Sequence, residues 1–252
     1  MNKQEALIDY CLRLGDNSLV LGHRLSEWCG HGPILEEDLA LANIALDLLG
    51  QTRNLFTYAA AVEGKGRTED DLAYTRNNYE FRNALLTEQA NGDFAVTIAR
   101  QLFYTSYAWL LFTELQKSKD ETIAGIAAKA LKETSYHLRH CNEWTIRLGD
   151  GTEESHRRMQ DAVDSLWMYT DDIFAQTEGD ALLIKEGIAA DAATLKPKWD
   201  AMIKETLTKA TLKMPEGGFM MKGSREGKHT EHLTYILGEL QFLQRTYPGM
   251  EW

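Results

Sequence analysis

Cysteine and proline are scarce in this sequence of 252 residues. The cysteines are Cys11, Cys29 and Cys141, an odd number without CxxC spacing, which excludes a disulfide framework and favours reduced thiols that pack in the core. Only four prolines occur and hydrophobic residues make up 44%, which excludes a disordered or fibrous chain. A chain of this length buries about 70% of its surface on folding, so no metal or disulfide is required to hold it.

Positive charge is in deficit, and long apolar runs are absent from the sequence. Lys and Arg number 27 against 38 Asp and Glu, a net charge of −11, so binding to nucleic acid or to an anionic membrane is not expected. The N-terminal residues MNKQEALIDY lack the apolar run of a signal peptide, and the least charged stretch, 94–113, still carries Arg100. We therefore expect a cytoplasmic protein without a membrane span.

Apolar residues recur at intervals of three and four along the chain, which predicts an all-α fold. Helices are predicted over 4–29, 36–63, 93–119, 121–148, 153–177, 195–213 and 229–247. Gly15 to Asn17 should weaken the first helix, 65–91 should be a loop with short helical pieces, and 178–191 should be a turn. Four helices about 40 Å long predict a ferritin-like long four-helix bundle in a single domain, with a core at 4–149 and accessory C-terminal helices at 153–252.

The second and fourth predicted helices carry polar residues on otherwise apolar faces. Residues 39–49 read LALANIALDLL, which is polar only at Asn43 and Asp47, so we expect this helix to be surrounded by protein. Glu133 and His137 lie on a similar stripe of the fourth helix. Since an unpaired buried carboxylate is costly, these four residues are predicted to form a buried hydrogen-bonded cluster, with a single-metal site as the alternative.

The same stripe is similar to that of a di-iron bundle, but its ligands are too few. A di-iron bundle takes one Glu from each of two helices and a Glu-x-x-His pair from each of two others. No Asp or Glu occurs at 94–113, and Gly50 stands where a His should follow Asp47. The apolar row of the first helix contains no acid, because its polar residues are expected on the opposite face: Asp16, His23 and Glu27. We therefore expect no metal in this chain and regard the following residues as a degenerate site: Asp47, Glu133 and His137.

Two further segments carry candidate residues. His229 and His232 could bind a metal, but Thr230 followed by Glu and an apolar stripe favours a helix N-terminus. A loop near the end of a helical hairpin contains two arginines and an Asn that are unusual in an acidic chain: Arg76, Arg82 and Asn83. From the residues alone, this loop is interpreted as solvated.

Short runs of residues that are typical of one known protein family are spread along the whole chain. They include RLGDN at 13–17, EWCGH at 27–31, DLALAN at 38–43, LDLLGQ at 46–51, YHLR at 136–139, EGIA at 186–189, HTEHL at 229–233 and the terminal Trp252. Together these runs resemble the C-type structural subunits of bacterial phenylacetyl-CoA epoxidase complexes, which act in aerobic phenylacetate degradation. The resemblance implies a ferritin-like fold without metal and a homologous A-type catalytic subunit that carries the di-iron centre and binds the CoA thioester. Further small and reductase subunits are implied as partners. For the loop with Arg76, Arg82 and Asn83, the resemblance adds the alternative of a contact to the anionic CoA ester that the catalytic subunit holds.

The resemblance implies that this chain is a noncatalytic structural subunit that stabilises the A-type partner in the monooxygenase complex. The apolar second helix, together with Trp28 and Trp109, is expected to contribute to either the core or the partner interface. The alternative is an independent ferritin-like metal-dependent oxidoreductase. Its ligands would be Asp47, Glu133, His137 and His140.

Overall fold

The computed structural model describes residues 1–250, and this part of the chain is all-helical. Its α-helices are α1 (Lys3–Ser26), α2 (Leu35–Glu63), α3 (Glu69–Tyr74), α4 (Phe94–Leu115), α5 (Glu121–Gly149), α6 (Glu153–Trp167), α7 (Glu178–Lys185), α8 (Ala192–Lys209), α9 (Glu231–Leu240) and α10 (Phe242–Thr246). Short 3-10 turns occur at Asn78–Glu80, Asp171–Phe174 and Ser224–Glu226. The predicted all-α class of a ferritin-like helical bundle is confirmed, and Trp252 lies outside the described residues.

The chain divides into two compact units, each built on a hairpin of long helices. The first unit comprises Met1–Ala90, Thr177–Leu183 and the described residues from Gly223 onward, and it contains the α1–α2 hairpin. The second comprises Asn91–Gln176 and Ile184–Lys222 and contains the α4–α5 hairpin. The single domain with a core at 4–149 and accessory helices at 153–252 stays a prediction.

The α1–α2 hairpin packs closely because glycines lie at the helix contact. A Cβ atom at Gly15 would lie 2.3 Å from Cε1 of Phe56, and one at Gly22 would lie 3.4 Å from the Ala45 carbonyl oxygen. The Thr52 hydroxyl donates a hydrogen bond to the Gly15 carbonyl at 3.2 Å. The predicted weak point at Gly15 is therefore wrong: α1 is continuous there, and the glycine admits the aromatic ring of α2.

An aromatic cluster joins three helices of the second unit. Trp199 of α8 is fully buried, and its indole nitrogen donates to the Phe103 carbonyl of α4 at 2.8 Å. The Trp199 ring centroid lies 5.8 Å from those of Phe103 and Trp167, the last residue of α6, and 5.5 Å from that of Phe174. These tilted and edge-to-face contacts fix α8 and α6 against α4.

The predicted boundaries of the four long helices are confirmed to within a few residues, whereas the later ones differ. Helix α6 ends at Trp167 instead of 177, and the predicted turn at 178–191 contains α7. Helix α7 forms because Thr177 and Asp180 cap each other: the Thr177 backbone N–H donates to Asp180 Oδ2 at 2.7 Å, and the Asp180 N–H donates to Thr177 Oγ1 at 3.3 Å. The predicted helix at 229–247 is divided at Gln241 into α9 and α10.

All three cysteines, which lie within the described residues, are free thiols. Cys11 and Cys141 are buried as predicted, and the prediction that Cys29 packs in the core is wrong because Cys29 is exposed beyond the end of α1. Across residues 1–250, the helices all fall short of the length and apolarity that crossing a membrane requires.

Candidate functional site

The polar stripe predicted on α2 is not buried as expected. Asn43 is exposed and Asp47 is half-buried, so the prediction that Asn43 belongs to a buried cluster is wrong. The chain also leaves Leu39 and Leu46 exposed, at 56% and 64% of their surfaces, so this helix is not surrounded by its own protein.

The polar stripe on α5 lies in the second unit. His137 is buried, with 2% of its surface exposed. Glu133 is partly exposed, and its Oε1 lies 3.9 Å from the Lys129 ammonium one helical turn earlier.

Trp109 of α4 is half-buried, and its indole nitrogen donates to Ser135 Oγ of α5 at 3.2 Å. In the first unit, Trp28 is likewise half-buried, beyond the end of α1.

The donor chemistry does not fit a pair of iron ions. Among residues 1–250, His, Cys, Asp and Glu side chains do not form any group of three or more that could hold a metal ion. Helix α4 has no Asp or Glu from Phe94 to Thr113, so in the second unit this helix cannot supply the carboxylate that a di-iron bundle takes from each helix.

Three buried charge clusters lie in the first unit, and the first is centred on Asp16 of α1. Asp16 is fully buried. The Arg76 guanidinium pairs with both of its oxygens, with Nη1 donating to Oδ2 at 3.1 Å and Nη2 to Oδ1. The Arg82 backbone N–H donates to Oδ2 at 2.8 Å. The guanidinium carbon also lies 5.1 Å and 4.2 Å from the ring centroids of Phe56 and Phe81.

Residues of the 76–90 segment thus pack on the side of α1 that carries Asp16, the side that the sequence pattern predicts to lie opposite the apolar row. The next residue, Asn17, accepts a hydrogen bond from the Ala84 backbone N–H at 2.7 Å. The run RLGDN therefore has a tertiary role: its glycine admits Phe56, and its Asp and Asn bind the backbone of 82–84. Three small or polar residues inside an otherwise apolar helical pattern were the only sequence signal for this contact.

The second buried cluster is centred on Glu88, which is also fully buried. Its Oε1 accepts hydrogen bonds from the Thr230 backbone N–H at 2.6 Å and from Thr230 Oγ1 at 2.8 Å. Its Oε2 lies 2.9 Å from His229 Nδ1 and accepts from Asn83 Nδ2 at 2.9 Å. The Glu88 backbone carbonyl accepts two hydrogen bonds from the Arg24 guanidinium, at 3.1 and 2.9 Å. The C-terminal helices are thereby anchored to α1 through the 76–90 segment.

The surroundings of His229 require both ring nitrogens to donate. Nδ1 faces the Glu88 carboxylate, and Nε2 lies 3.0 Å from the Phe81 carbonyl oxygen, which is also an acceptor. Burial by itself lowers the pKa of the imidazole. The hydrogen bond and charge of Glu88, the Phe81 carbonyl and the charge of Asp16 outweigh burial, and the pKa is raised above its usual 6.5. The geometry and the raised pKa both favour the protonated imidazole, the form that pairs with the Glu88 carboxylate. Thr230 is the N-cap of α9, as predicted for a helix start.

A third ion pair anchors α7. Arg13 of α1 binds both oxygens of Asp180, with Nη1 donating to Oδ2 at 2.6 Å and Nη2 to Oδ1. Burial opposes the charged form of Asp180, but the hydrogen bonds and charge of Arg13 outweigh it and hold the pKa of that carboxyl below its usual range. Burial raises the pKa of Asp9, despite the nearby charges of Arg13 and Arg82.

The loop considered for CoA contact uses most of its donors internally. Arg76 is buried against Asp16, and Asn83 is buried against Glu88. Arg82 is half-buried, and its Nη1 donates to the carbonyls of Tyr79 at 2.7 Å and Phe81 at 2.8 Å. Both interpretations of this loop, as solvated and as a CoA contact, are therefore wrong for Arg76 and Asn83. For Arg82 the contact stays a prediction.

These features define a class: an all-α protein in which buried ion pairs connect distant segments of the first unit. The family model described as phenylacetic acid catabolic protein matches residues 1–252, and the chain belongs to that family. It is 51% identical over 246 residues to a protein of Escherichia coli (strain K12) named as the C subunit of 1,2-phenylacetyl-CoA epoxidase. The match covers 98% of this chain and 99% of the relative, so the predicted resemblance is confirmed.

Proposed function

We propose that this chain is the noncatalytic, C-type structural subunit of a phenylacetyl-CoA epoxidase complex in the cytoplasm. Its partner is the homologous A-type catalytic subunit, which carries the di-iron centre and the CoA thioester, and small and reductase subunits complete the monooxygenase. The role of this chain is to stabilise the A-type subunit during aerobic phenylacetate catabolism. The 51% identity over nearly the full length of both chains supports the assignment to the C type.

The observation that carries the noncatalytic role is the engagement of three buried carboxylates of the first unit. Asp16 binds Arg76, Glu88 binds His229 and Asp180 binds Arg13. A catalytic acid, base or metal ligand must face a substrate or an ion, whereas these groups face cations of the same chain. The charges therefore fix the positions of α1, the 76–90 segment, α7 and α9, which is the property required of a rigid binding surface.

A rigid partner stabilises the A-type subunit by mass action. A protein that binds only the folded form of its partner stabilises that form by about 2.7 kcal/mol at a free concentration one hundred times the dissociation constant. This effect needs neither a reactive group nor a cofactor in the chain that supplies it. We expect the same binding to suppress local opening of the catalytic helices around the iron centre.

The test is to purify this chain and the A-type subunit separately and together. We expect co-elution on size exclusion and a higher melting temperature of the A-type subunit in the complex. Epoxidation of phenylacetyl-CoA should occur only when both the reductase and the A-type subunit take part. Separate elution would contradict the proposal.

Elemental analysis of this chain alone tests the competing oxidoreductase. Near-stoichiometric iron that is lost in Asp47→Ala, together with turnover by the isolated chain, would replace the structural role with the metal-dependent one. Glu133 and His137 would then be the next residues to substitute.

A further inference from the structure

The N-terminal half of α2 exposes a ridge of aliphatic side chains. Leu35, Leu39 and Leu46 expose 70%, 56% and 64% of their surfaces, and half-buried Ala42 lies between the second and third. These four positions are separated by four, three and four residues, the spacing at which side chains align along one face of a helix. Exposed leucines scattered singly are ordinary, but four aligned aliphatic positions form a continuous strip.

The ridge is held on a fixed support. The opposite side of α2 is buried against α1, where Leu41, Ile44 and Leu48 are almost fully inaccessible and Gly22 allows close approach to the Ala45 carbonyl. Helix α2 is continuous from Leu35 to Glu63. A partner that binds the ridge therefore loses little free energy in ordering it.

The accessible charged side chains in the N-terminal half of α2 are all acidic. Glu36 is exposed and Asp38 and Asp47 are half-buried, whereas Glu37 is buried on the other side of the helix; the first basic residue of α2 is Arg53. In a symmetric contact with a second copy of this chain, the acidic side chains of the two α2 helices would face one another, which is unfavourable. The charge pattern therefore favours a different partner, one whose apolar strip is bordered by Lys and Arg.

We infer that this ridge, defined by Leu35, Leu39, Ala42 and Leu46, docks against an apolar helix of the catalytic subunit that carries basic side chains beside its own aliphatic strip. The inference rests on the proposed function and adds the surface that is used. This docking explains why residues 39–49 of α2 are apolar on nearly every face although Leu39 and Leu46 are exposed in the chain by itself. Asn43, exposed on the same half of α2, lies within the contact.

The experiment measures binding of the full-length chain to the purified A-type subunit by isothermal titration calorimetry. The test variant is Leu39→Ala with Leu46→Ala, and the matched control is Tyr235→Ala on α9, where the tyrosine is 70% exposed. We expect the double variant to weaken binding by about 100-fold or more, as expected for central apolar residues of an interface, and the control to change it less than about threefold. Glu36→Lys should weaken binding at low salt and reduce its salt dependence.

The substituted leucines are exposed, so melting temperatures of the variants should match that of the wild type. Photo-cross-linking from position 43 of an otherwise unaltered chain provides a second measurement, with position 235 as its control. Cross-links from 43 to the A-type subunit support the inference, and cross-links from 235 alone overturn it. Wild-type binding with an unaffected double variant also overturns it, as does a homodimer that the double variant dissociates. Failure of the wild-type chain to bind the A-type subunit would instead contradict the proposed function.

Discussion

Replacing Arg76 by alanine is predicted to destabilise the first unit strongly, because it leaves the fully buried Asp16 carboxyl without its cationic partner. Arg76 supplies two of the three hydrogen bonds that Asp16 accepts, and the third comes from the Arg82 backbone N–H at 2.8 Å. Removing one member of a buried ion pair costs about 3–5 kcal/mol, since the remaining charge keeps its desolvation penalty. The contacts of the guanidinium with the Phe56 and Phe81 rings are lost as well.

The double variant Asp16→Leu with Arg76→Met should be less damaging than Arg76→Ala. It removes both charges and leaves the Arg82 N–H without its acceptor, at a cost of about 1–3 kcal/mol. The hydrogen bonds that the Arg76 guanidinium donates to the Leu72 and Glu80 carbonyls are lost in both variants. The matched control is Arg157→Ala, which breaks ion pairs of an exposed arginine with Glu154 and Asp161 and should leave stability near the wild-type value.

The assay combines urea unfolding, followed by circular dichroism, with hydrogen exchange at individual amides. The amides of Arg82 and Ala84 report the site directly because they donate to Asp16 and Asn17. Arg76→Ala should speed their exchange far more than Arg157→Ala does. The reasoning would be refuted if the two single variants were equally stable, or if the double variant were less stable than Arg76→Ala.

Three other predictions use the same methods. His229→Gln should remove a pH dependence of the free energy of unfolding. Because the folded pKa of this imidazole is raised, its contribution to that free energy is complete below about pH 6.5 and is lost as pH rises through the raised value. The wild type should therefore lose more stability than the variant between pH 6 and 9. Gly15→Ala should destabilise the folded protein by about 1–3 kcal/mol, because the added Cβ overlaps the Phe56 ring on α2. Gly50→Ala, whose added Cβ meets no atom within 4 Å, should stabilise it by about 0.4–1 kcal/mol. Opposite shifts of the two urea midpoints would confirm this difference. Cys29 should react with a thiol reagent in the native state and Cys141 should not, since burial raises the pKa of the Cys141 thiol to about 12; equal reaction rates would contradict this.

The polar residues separate what was predictable from what was not. The helix start at Thr230 and the burial of His137 followed from local pattern, and both are as expected. Asn43 was expected inside and is outside, whereas Asp16 was placed away from the apolar row and is fully buried. Helical periodicity assigns a residue to a face of its helix but does not reveal which other segment covers that face.

The sequence by itself determined the helical class, the extents of the four long helices and, through its matching runs, the family. Each is a local property, set by apolar spacing, helix ends and residue identity. Only the tertiary structure decided which charges are buried, because each pair joins distant segments: Asp16 and Arg76 are 60 residues apart, Glu88 and His229 141, and Arg13 and Asp180 167. It also decided that one side of α2 remains uncovered, because burial depends on what the rest of the chain packs against each face.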